Sequence, residues 1–204
     1  MTTRLFLVRH GETEANRRGL ALGRADVPLN DNGRGQVTRL AQALAAEPIV
    51  AVYSSPLMRT METAGPIAAA RGLTTQIEPG LIEMDIGEVD GLTFAQVRER
   101  YPQLLDVWTS PEGPDHAMPG GERLAGVQQR VTEAIRSIAQ RHPDEAVCAV
   151  THNFVILTLL ADALGIDLAG FRRLRHGVAA ITTLEISENR PRLVRLNDTC
   201  HLRD

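Results

Sequence analysis

A short apolar run near the start of the chain ends abruptly in charged residues. Residues 5–8 are apolar, and Arg9, His10 and Gly11 follow them directly. A short run of bulky apolar residues bounded by a glycine predicts a buried strand, which puts Arg9 and His10 at its carboxyl end. In an open α/β sheet, ligands bind at that edge. Gly11 lets the backbone approach a ligand closely, and a helix that begins in the polar stretch after it would favour an anion.

The remainder of the sequence alternates predicted strands with predicted helices. Further strands are predicted at residues 49–53, 74–77, 146–150, 179–186 and 192–196, and helices at 31–46, 124–141 and 154–164, with two more beginning near 56 and near 93. This pattern predicts an α/β fold, which we expect to be a three-layer αβα sandwich with a mostly parallel central sheet. The 204 residues, 43% of them hydrophobic, can bury one sizeable core, so we predict a single domain over residues 1–204.

A second basic residue falls at the start of a predicted helix. Ser55 is a candidate N-cap and Pro56 a candidate first helical residue, which places Arg59 in the first turn. A basic side chain there opposes the helix dipole. Its placement costs stability unless an anion shares the site, so Arg59 is a candidate anion ligand.

A second histidine follows another predicted strand. His152 comes after the strand at 146–150, and Asn153 comes next. Because the carboxyl ends of parallel strands meet at one edge of a sheet, we expect His152 on the same edge as His10. Position alone therefore does not distinguish the two histidines as nucleophiles.

The first strand end resembles the Arg-His-Gly signature of the histidine phosphatase superfamily, with Arg9, His10, Gly11, Glu12 and Thr13 followed by Asn16. Residues 54–60 closely resemble the second motif of the family, and further matches follow in order over essentially the whole chain. The resemblance implies a fold similar to that of the phosphoglycerate mutases. It also implies a phosphatase-type member, similar to cofactor-independent phosphoserine phosphatases and to broad-specificity phosphomonoesterases.

The resemblance implies roles for the candidate residues. His10 would attack phosphorus and form a phosphohistidine, because the signature around it, with Asn16 placed to hold an oxygen, selects it over His152. Arg9 and Arg59 would hold phosphoryl oxygens, and His152, if protonated, would stabilise the transferring group. The remaining substrate contacts are assigned to Asn16, to the backbone of Leu22 and Gly23, and to Asn153, which stands where the family usually has glycine.

The acid/base carboxylate of the family matches Glu83. The segment around it resembles the phosphatase branch, in which Leu-x-Glu is followed by a glycine and by a later Gly-Leu-Thr. The competing carboxylates nearby are Asp85, Glu88 and Asp90, for which loop solvation is the simpler role. The residues after Glu83 lack the pattern typical of mutases, which disfavours an isomerase.

A stretch rich in proline and glycine at residues 109–121 predicts a long loop, and long loops in compact domains often serve as lids. It ends in a segment that resembles the family's Pro-Gly-Gly-Glu-Ser, with Arg123 in place of the serine. Ile86, Arg123 and the 109–121 loop are our candidates for selecting the substrate. His201, near the end of the chain, is expected to be structural.

The composition of the chain limits the kinds of partner that we expect. A net charge of −3 gives no basic field for nucleic acid, and the apolar stretch at residues 155–161 is too short to cross a membrane. The first residues lack the layout of a signal peptide, and two cysteines outside any disulfide or metal-binding spacing suit a cytoplasmic protein. We expect no metal and no cofactor.

We therefore predict a metal-independent phosphatase that acts on small phosphorylated metabolites. Two alternatives stay open: a cofactor-dependent phosphoglycerate mutase, and a non-catalytic protein that binds phosphoryl groups. The sequence does not identify the natural substrate. It also leaves the oligomeric state open, a homodimer included.

Overall fold

Six strands form one sheet in the described part of the chain, which comprises residues 1–187 and 191–203 of the computed structural model. They are β1 (Thr2–Arg9), β2 (Ile49–Ser54), β3 (Thr75–Ile77), β4 (Ala146–Thr151), β5 (Ile181–Ser187) and β6 (Arg192–Asp198). Their spatial order is β3-β2-β4-β1-β5-β6. Strands β3, β2, β4 and β1 run parallel to one another, whereas β5 is antiparallel to both β1 and β6. The predicted, mostly parallel sheet is confirmed.

Helices cover both faces of this sheet. In the described residues they are α1 (Glu14–Arg17), α2 (Asp31–Leu44), α3 (Met58–Ala69), α4 (Phe94–Arg100), α5 (Pro102–Thr109), α6 (Leu124–Arg141) and α7 (Asn153–Leu164). Successive side chains of a strand point to opposite faces. Accordingly, Leu5 and Leu7 of β1 join a core cluster with α6 and α7, while Phe6 and Val8 join a second cluster with α2 and α3. The three-layer αβα sandwich is therefore confirmed.

Helix α6 shows how directly the apolar pattern determines packing. Its buried side chains are Leu124, Val127, Val131, Ala134, Ile135 and Ile138. These are the residues at helical spacing that the sequence offers as a core face. Replacing a fully buried leucine such as Leu124 by alanine typically costs about 2–5 kcal/mol of unfolding free energy.

The start of α3 differs from the prediction. Leu57, and not Ser55, is the N-cap residue, so Pro56 precedes the helix. The hydroxyl of Ser55 instead lies 2.7 Å from Nε2 of His152, so Ser55 contacts a residue that follows the neighbouring strand β4. Arg59 still falls in the first turn, as predicted.

Residues 101–121 are more ordered than the sequence suggested. Helix α4 ends before Pro102, and Pro102 then opens α5, because proline suits the first turn of a helix. The stretch at 109–121 contains a 3₁₀ turn (Gly113–Asp115) and is held by its backbone: the Pro119 carbonyl accepts from the Glu88 N–H at 2.9 Å. Met118 is buried in the core.

Candidate active site

The ends of three parallel strands converge on one edge of the sheet. Arg9 of β1 pairs with Thr151 of β4, and Ser54 of β2 pairs with Val150 of β4. The residues that follow these pairs therefore lie side by side. They bring the ring centroids of His10 and His152 to 5.2 Å from each other. Arg9, His10, Arg59, Glu83 and His152, which the sequence scatters over 144 positions, meet here.

His10 is buried, and one of its ring nitrogens has a fixed role. Nδ1 lies 2.8 Å from the carbonyl oxygen of Gly11, which can only accept a hydrogen bond. The proton of the neutral ring therefore sits on Nδ1, and Nε2 keeps its lone pair. Burial, with help from Arg59 and Arg9, lowers the pKa of His10 well below its usual value. The ring is thus neutral at neutral pH.

The Gly11 backbone is itself held tightly. Its N–H donates to the hydroxyl of Thr63 at 3.1 Å. A Cβ added to Gly11 would lie 2.9 Å from the carbonyl oxygen of Gly33 in α2, so no larger residue is accommodated without a backbone shift. Glycine is thus required where the chain turns away from His10.

Arg59 is fully buried and donates hydrogen bonds to three partners. Nη1 and Nη2 donate to the carbonyls of Ala25 and Gly23 at 2.8 Å and 2.7 Å, and Nε donates to Nδ1 of His152 at 3.2 Å. Since burial dominates, the pKa of Arg59 is lowered, an effect that Glu83 partly opposes. The guanidinium thereby links the 23–25 loop to the second histidine.

His152 is neutral in this arrangement. Because its Nδ1 accepts from Arg59, the ring proton sits on Nε2, which donates to the hydroxyl of Ser55 at 2.7 Å. Burial first, and then the positive charge of Arg59, lowers the pKa of His152 well below its usual value. His152 therefore presents an N–H donor here, and not the positive charge that the sequence led us to consider.

Arg9 is oriented from two sides. Its Nη1 donates to Oδ1 of Asn153 at 3.0 Å and to the carbonyl of His176 at 2.5 Å. Within the described residues, its buried Nε has no hydrogen-bond partner. Burial also lowers the pKa of Arg9, which Glu83 counteracts. A buried donor without a partner in a cationic cluster is suited to an anionic ligand.

Glu83 supplies a buried carboxyl group to the same cluster. Its Oε1 accepts from the Met84 N–H at 2.8 Å, and its Oε2 accepts from the Phe154 N–H at 3.4 Å. Burial raises its pKa, although these N–H groups and both arginines work in the opposite direction. A carboxyl group with a raised pKa keeps its proton to a higher pH, which suits it to give that proton up during a reaction.

A clamp of three charged side chains holds the backbone of Glu83. Arg24 Nε and Arg130 Nη2 donate to its carbonyl oxygen at 3.2 Å and 3.1 Å. Glu122 forms ion pairs with both arginines, and its Oε2 accepts from the Asp85 N–H. The sequence placed Glu122 in a family motif but gave no sign that it acts on Glu83.

The loop that carries Leu22 and Gly23 is anchored by Asp90. Its carboxylate accepts from the N–H groups of Gly23 at 3.1 Å and Ala25 at 2.9 Å. A Cβ added to Gly23 would lie 2.6 Å from Cγ1 of Ile86, so the two segments are in close contact. Both backbone polar groups of Gly23 are thus bonded within the protein, and Asp90 has a more definite role than loop solvation.

The other candidates have local partners. Asn16 Oδ1 accepts from the backbone N–H and hydroxyl of Thr13 in a capping box that begins α1. Asp85 accepts from the Gly87 N–H, and Glu88 accepts from the hydroxyl of Tyr101. Arg123 is exposed at the N-cap of α6.

Two further histidines, His176 and His201, form hydrogen bonds near the site. Nε2 of His176 bonds the hydroxyl of Thr182 at 2.9 Å, and burial lowers its pKa to about 4. Sequence reasoning missed His176, since neither its spacing nor its neighbours set it apart. His201 Nε2 donates to the carbonyl of Ala179 at 3.0 Å, in line with the structural role expected for it.

The described residues contain neither a metal-binding cluster nor a membrane-crossing helix. In residues 1–187 and 191–203, no group of three or more His, Cys, Asp or Glu side chains is arranged to hold a metal ion. Across the same residues, no helix has the length and apolar character that a membrane crossing requires.

Comparison with known proteins identifies the family. The sequence profile of the histidine phosphatase superfamily (branch 1) matches residues 5–199. The chain belongs to this superfamily. This histidine phosphatase is 36% identical to phosphoserine phosphatase 1 of Hydrogenobacter thermophilus (strain DSM 6534 / IAM 12695 / TK-6) over 199 aligned residues. The alignment covers 98% of this chain and 94% of that protein.

Two more comparisons agree. Over 156 residues the chain is 35% identical to the metal-independent phosphoserine phosphatase of Arabidopsis thaliana, covering 76% of this chain and 66% of that one. The structure of Bacillus stearothermophilus YhfR matches at a TM-score of 0.92 and 32% identity, covering 98% of this chain and 100% of that chain. The predicted family and fold are confirmed. The relatives support phosphomonoesterase activity in this histidine phosphatase and favour neither the mutase nor the non-catalytic alternative.

Proposed function

We propose that this histidine phosphatase hydrolyses the phosphomonoesters of small metabolites through a phosphohistidine on His10. The observation that carries the proposal is the hydrogen bond between His10 Nδ1 and the Gly11 carbonyl. It fixes the tautomer, so Nε2 has the lone pair that can attack phosphorus. The lowered pKa of His10 keeps that lone pair available at neutral pH.

The cationic cluster supplies the electrostatic stabilisation. A phosphate monoester is a dianion, and its uncatalysed hydrolysis is slow enough that enzymes accelerate it by up to ~10²¹. One cation at ~4 Å contributes only about 4 kcal/mol at an effective dielectric constant near 20, so several pre-positioned donors are needed. Arg9 and Arg59 provide two forks suited to phosphoryl oxygens. Because they neutralise the charge, we propose that no metal takes part.

The bonds change in two steps. In the first, a bond forms between His10 Nε2 and phosphorus while the bond from phosphorus to the leaving oxygen breaks, and Glu83 gives its proton to that oxygen. In the second, water attacks phosphorus, Glu83 takes a proton from the water, and His10 is released. His152 contributes its Nε2–H to a phosphoryl oxygen in exchange for the hydroxyl of Ser55.

The remaining candidates have supporting roles. We assign oxygen contacts to the backbone N–H of Leu22 and to the side-chain amide N–H of Asn16, whose Oδ1 is already bonded to Thr13. Gly23 contributes through the carbonyl that holds Arg59, and Asn153 through its hydrogen bond to Arg9. The free thiols of the protein suit a reducing compartment such as the cytoplasm.

Trapping the intermediate tests the proposal. After rapid quench with ³²P-labelled substrate and digestion at alkaline pH, mass spectrometry should place phosphate on the His10 peptide, because a phosphohistidine is base-stable and acid-labile. His10→Ala should lose both label and turnover, whereas His152→Ala should slow turnover and retain label. Label on Ser55 or Asp85, or full turnover in His10→Ala, would refute the mechanism.

A further inference from the structure

A groove of about 490 Å³ lies between the loop after α1, helices α4 and α5, and the start of α7. This is within the range of about 300–1,000 Å³ typical of small-molecule pockets. Its walls are mainly apolar and aromatic, and the side chains that matter most here are Leu20, Phe94, Leu105, Trp108, Met118 and Phe154.

The groove adjoins the catalytic carboxyl group. Phe154 lines it with its side chain, while the backbone N–H of the same residue donates to Oε2 of Glu83 at 3.4 Å. On the opposite wall, Ala21 directly precedes Leu22 and Gly23 of the loop that Arg59 holds. A general acid must lie next to the oxygen that it protonates. The organic part of a substrate is attached to that oxygen, so the groove lies beside the position that it would occupy.

Contacts between rings build the aromatic wall. The ring of Trp108 meets those of Phe154 and Phe171 edge to face, with centroids 6.0 Å and 5.9 Å apart. Aromatic pairs favour this arrangement, and the wall offers an apolar surface. Thr109 and Met118 extend the wall into the 109–121 segment.

The charges of the groove select against some substrates. Among the described residues that line it, Arg172 is the one with a charge, and its Nη1 donates to the Trp108 carbonyl. None of these described lining residues is a carboxylate that could pair with an amino group. A substrate ammonium group would be desolvated there without a counter-ion, which is costly. A body of carbon and hydrogen, by contrast, gains from leaving water.

We propose that the leaving group of the natural substrate is an alcohol with a bulky apolar body, aromatic or branched, which occupies this groove. The inference rests on the proposed function and names its substrate class. It departs from the phosphoserine named for two relatives, because phosphoserine carries an ammonium group and little apolar surface. The products are the free alcohol, which has received the proton of Glu83, and inorganic phosphate.

Matched substrates isolate the contribution of the groove. 3-Phenylpropyl phosphate and propyl phosphate have leaving alcohols of similar acidity, so the chemical step is equally demanding for both. Burying a phenyl ring should favour the first in kcat/KM by at least about tenfold. 3-Phenylpropyl phosphate should exceed phosphoserine by a similar factor. Equal values for the two alkyl phosphates, or a preference for phosphoserine, would overturn the inference.

Variants complete the test. Phe94 lines the groove but is 59% exposed, so Phe94→Ser should fold, and its expected effect is a KM about fivefold higher for 3-phenylpropyl phosphate with propyl phosphate unchanged. Leu105→Ser, on the facing helix, should act in the same direction. Ile77→Ser is the matched control, since Ile77 is 58% exposed on β3, away from the groove.

The possible failures are distinguishable. If the wild-type protein hydrolyses all three phosphates without preference, the proposed function stands and the groove inference is wrong. If it hydrolyses none of them, both are wrong. If Phe94→Ser and Ile77→Ser change KM equally, the groove does not bind the leaving group.

Discussion

Nε of Arg59 lies 3.2 Å from Nδ1 of His152, and this contact decides the protonation state of the histidine. An arginine side chain donates hydrogen bonds and accepts none, so His152 Nδ1 has no proton. In the proposed mechanism Arg59 therefore acts on a substrate in two ways: through its own charge, and by orienting the Nε2–H of His152. Glycine and alanine carbonyls in the 23–25 loop hold the guanidinium in this position.

Arg59→Lys tests this dual role. Lysine keeps the positive charge but has no fork that can reach His152 and both carbonyls at once. We expect kcat to fall by about 10²–10³, the usual cost of losing a pre-positioned donor. The melting temperature should fall as well, because the side chain is buried. Steady-state kinetics and thermal unfolding are the measurements. Arg34→Lys, at a half-exposed site, is the control, and an equal loss of kcat there would contradict the assignment.

Glu83→Gln should separate substrates by leaving group. Glutamine cannot give a proton, so turnover of an alkyl phosphate should fall by about 10²–10⁴, whereas p-nitrophenyl phosphate, whose leaving group needs little protonation, should lose much less. In the wild-type protein, the rate with alkyl phosphates should fall as pH rises through the raised pKa of Glu83. A pH–rate series on both substrates shows this. The control is Asp85→Asn, and the same pattern there would move the acid role to Asp85.

Glu122→Gln should weaken the clamp on Glu83 without touching the substrate. The neutral side chain pairs less strongly with Arg24 and Arg130, so Glu83 is held less well. We expect kcat for alkyl phosphates to fall by about tenfold, KM to change little and the basic limb of the pH profile to shift. Glu99→Gln, at an exposed position on α4, should leave all three unchanged. A change in thermal stability alone would show that Glu122 is merely structural.

Stability should depend on pH through His176. Its folded-state pKa is lowered to about 4, so its contribution is fully present above the unfolded value near 6.5 and is lost as the pH falls. The loss between pH 7.5 and pH 5 amounts to about 2 kcal/mol of unfolding free energy. Urea titrations at both pH values measure it. His176→Gln should flatten the dependence by that amount, whereas His116→Gln, at an exposed position, should not.

Chelation should leave activity intact. Arg9 and Arg59 neutralise the phosphoryl charge, so a divalent ion has no step to assist. Phosphate release should be equal before and after dialysis against excess EDTA. Loss of turnover that magnesium restores would show that a metal takes part.

Much of this arrangement follows from sequence patterns because it depends on local periodicity. The apolar stripe of α6 and the strand ends before His10 and His152 are examples, since each is encoded within a few residues. Ser55 shows where local reasoning fails. Its sequence neighbourhood is that of an N-cap, but its hydroxyl bonds His152, a residue 97 positions away.

The clamp on Glu83 could not be predicted for the same reason. Arg24, Glu122 and Arg130 come from three separate segments, and their meeting depends on the packing of α6 against the loop before Glu83. The neutral state of His152 likewise depends on the orientation of a buried guanidinium. Helix α5 is not apparent from the sequence because a proline more often ends a helix, whereas Pro102 begins this one.

The distance between the two histidine rings has a practical consequence. Neighbouring strands in a sheet are about 4.8 Å apart, and the rings that follow β1 and β4 are separated by 5.2 Å. The spacing of the reactive groups is therefore the repeat distance of the sheet itself. The groove proposed for the rest of the substrate is lined instead mainly by short helices and loops, at residues 19–21 and 89–118. Residues of that groove could therefore be redesigned for a different alcohol without changing the strands that position the two histidines.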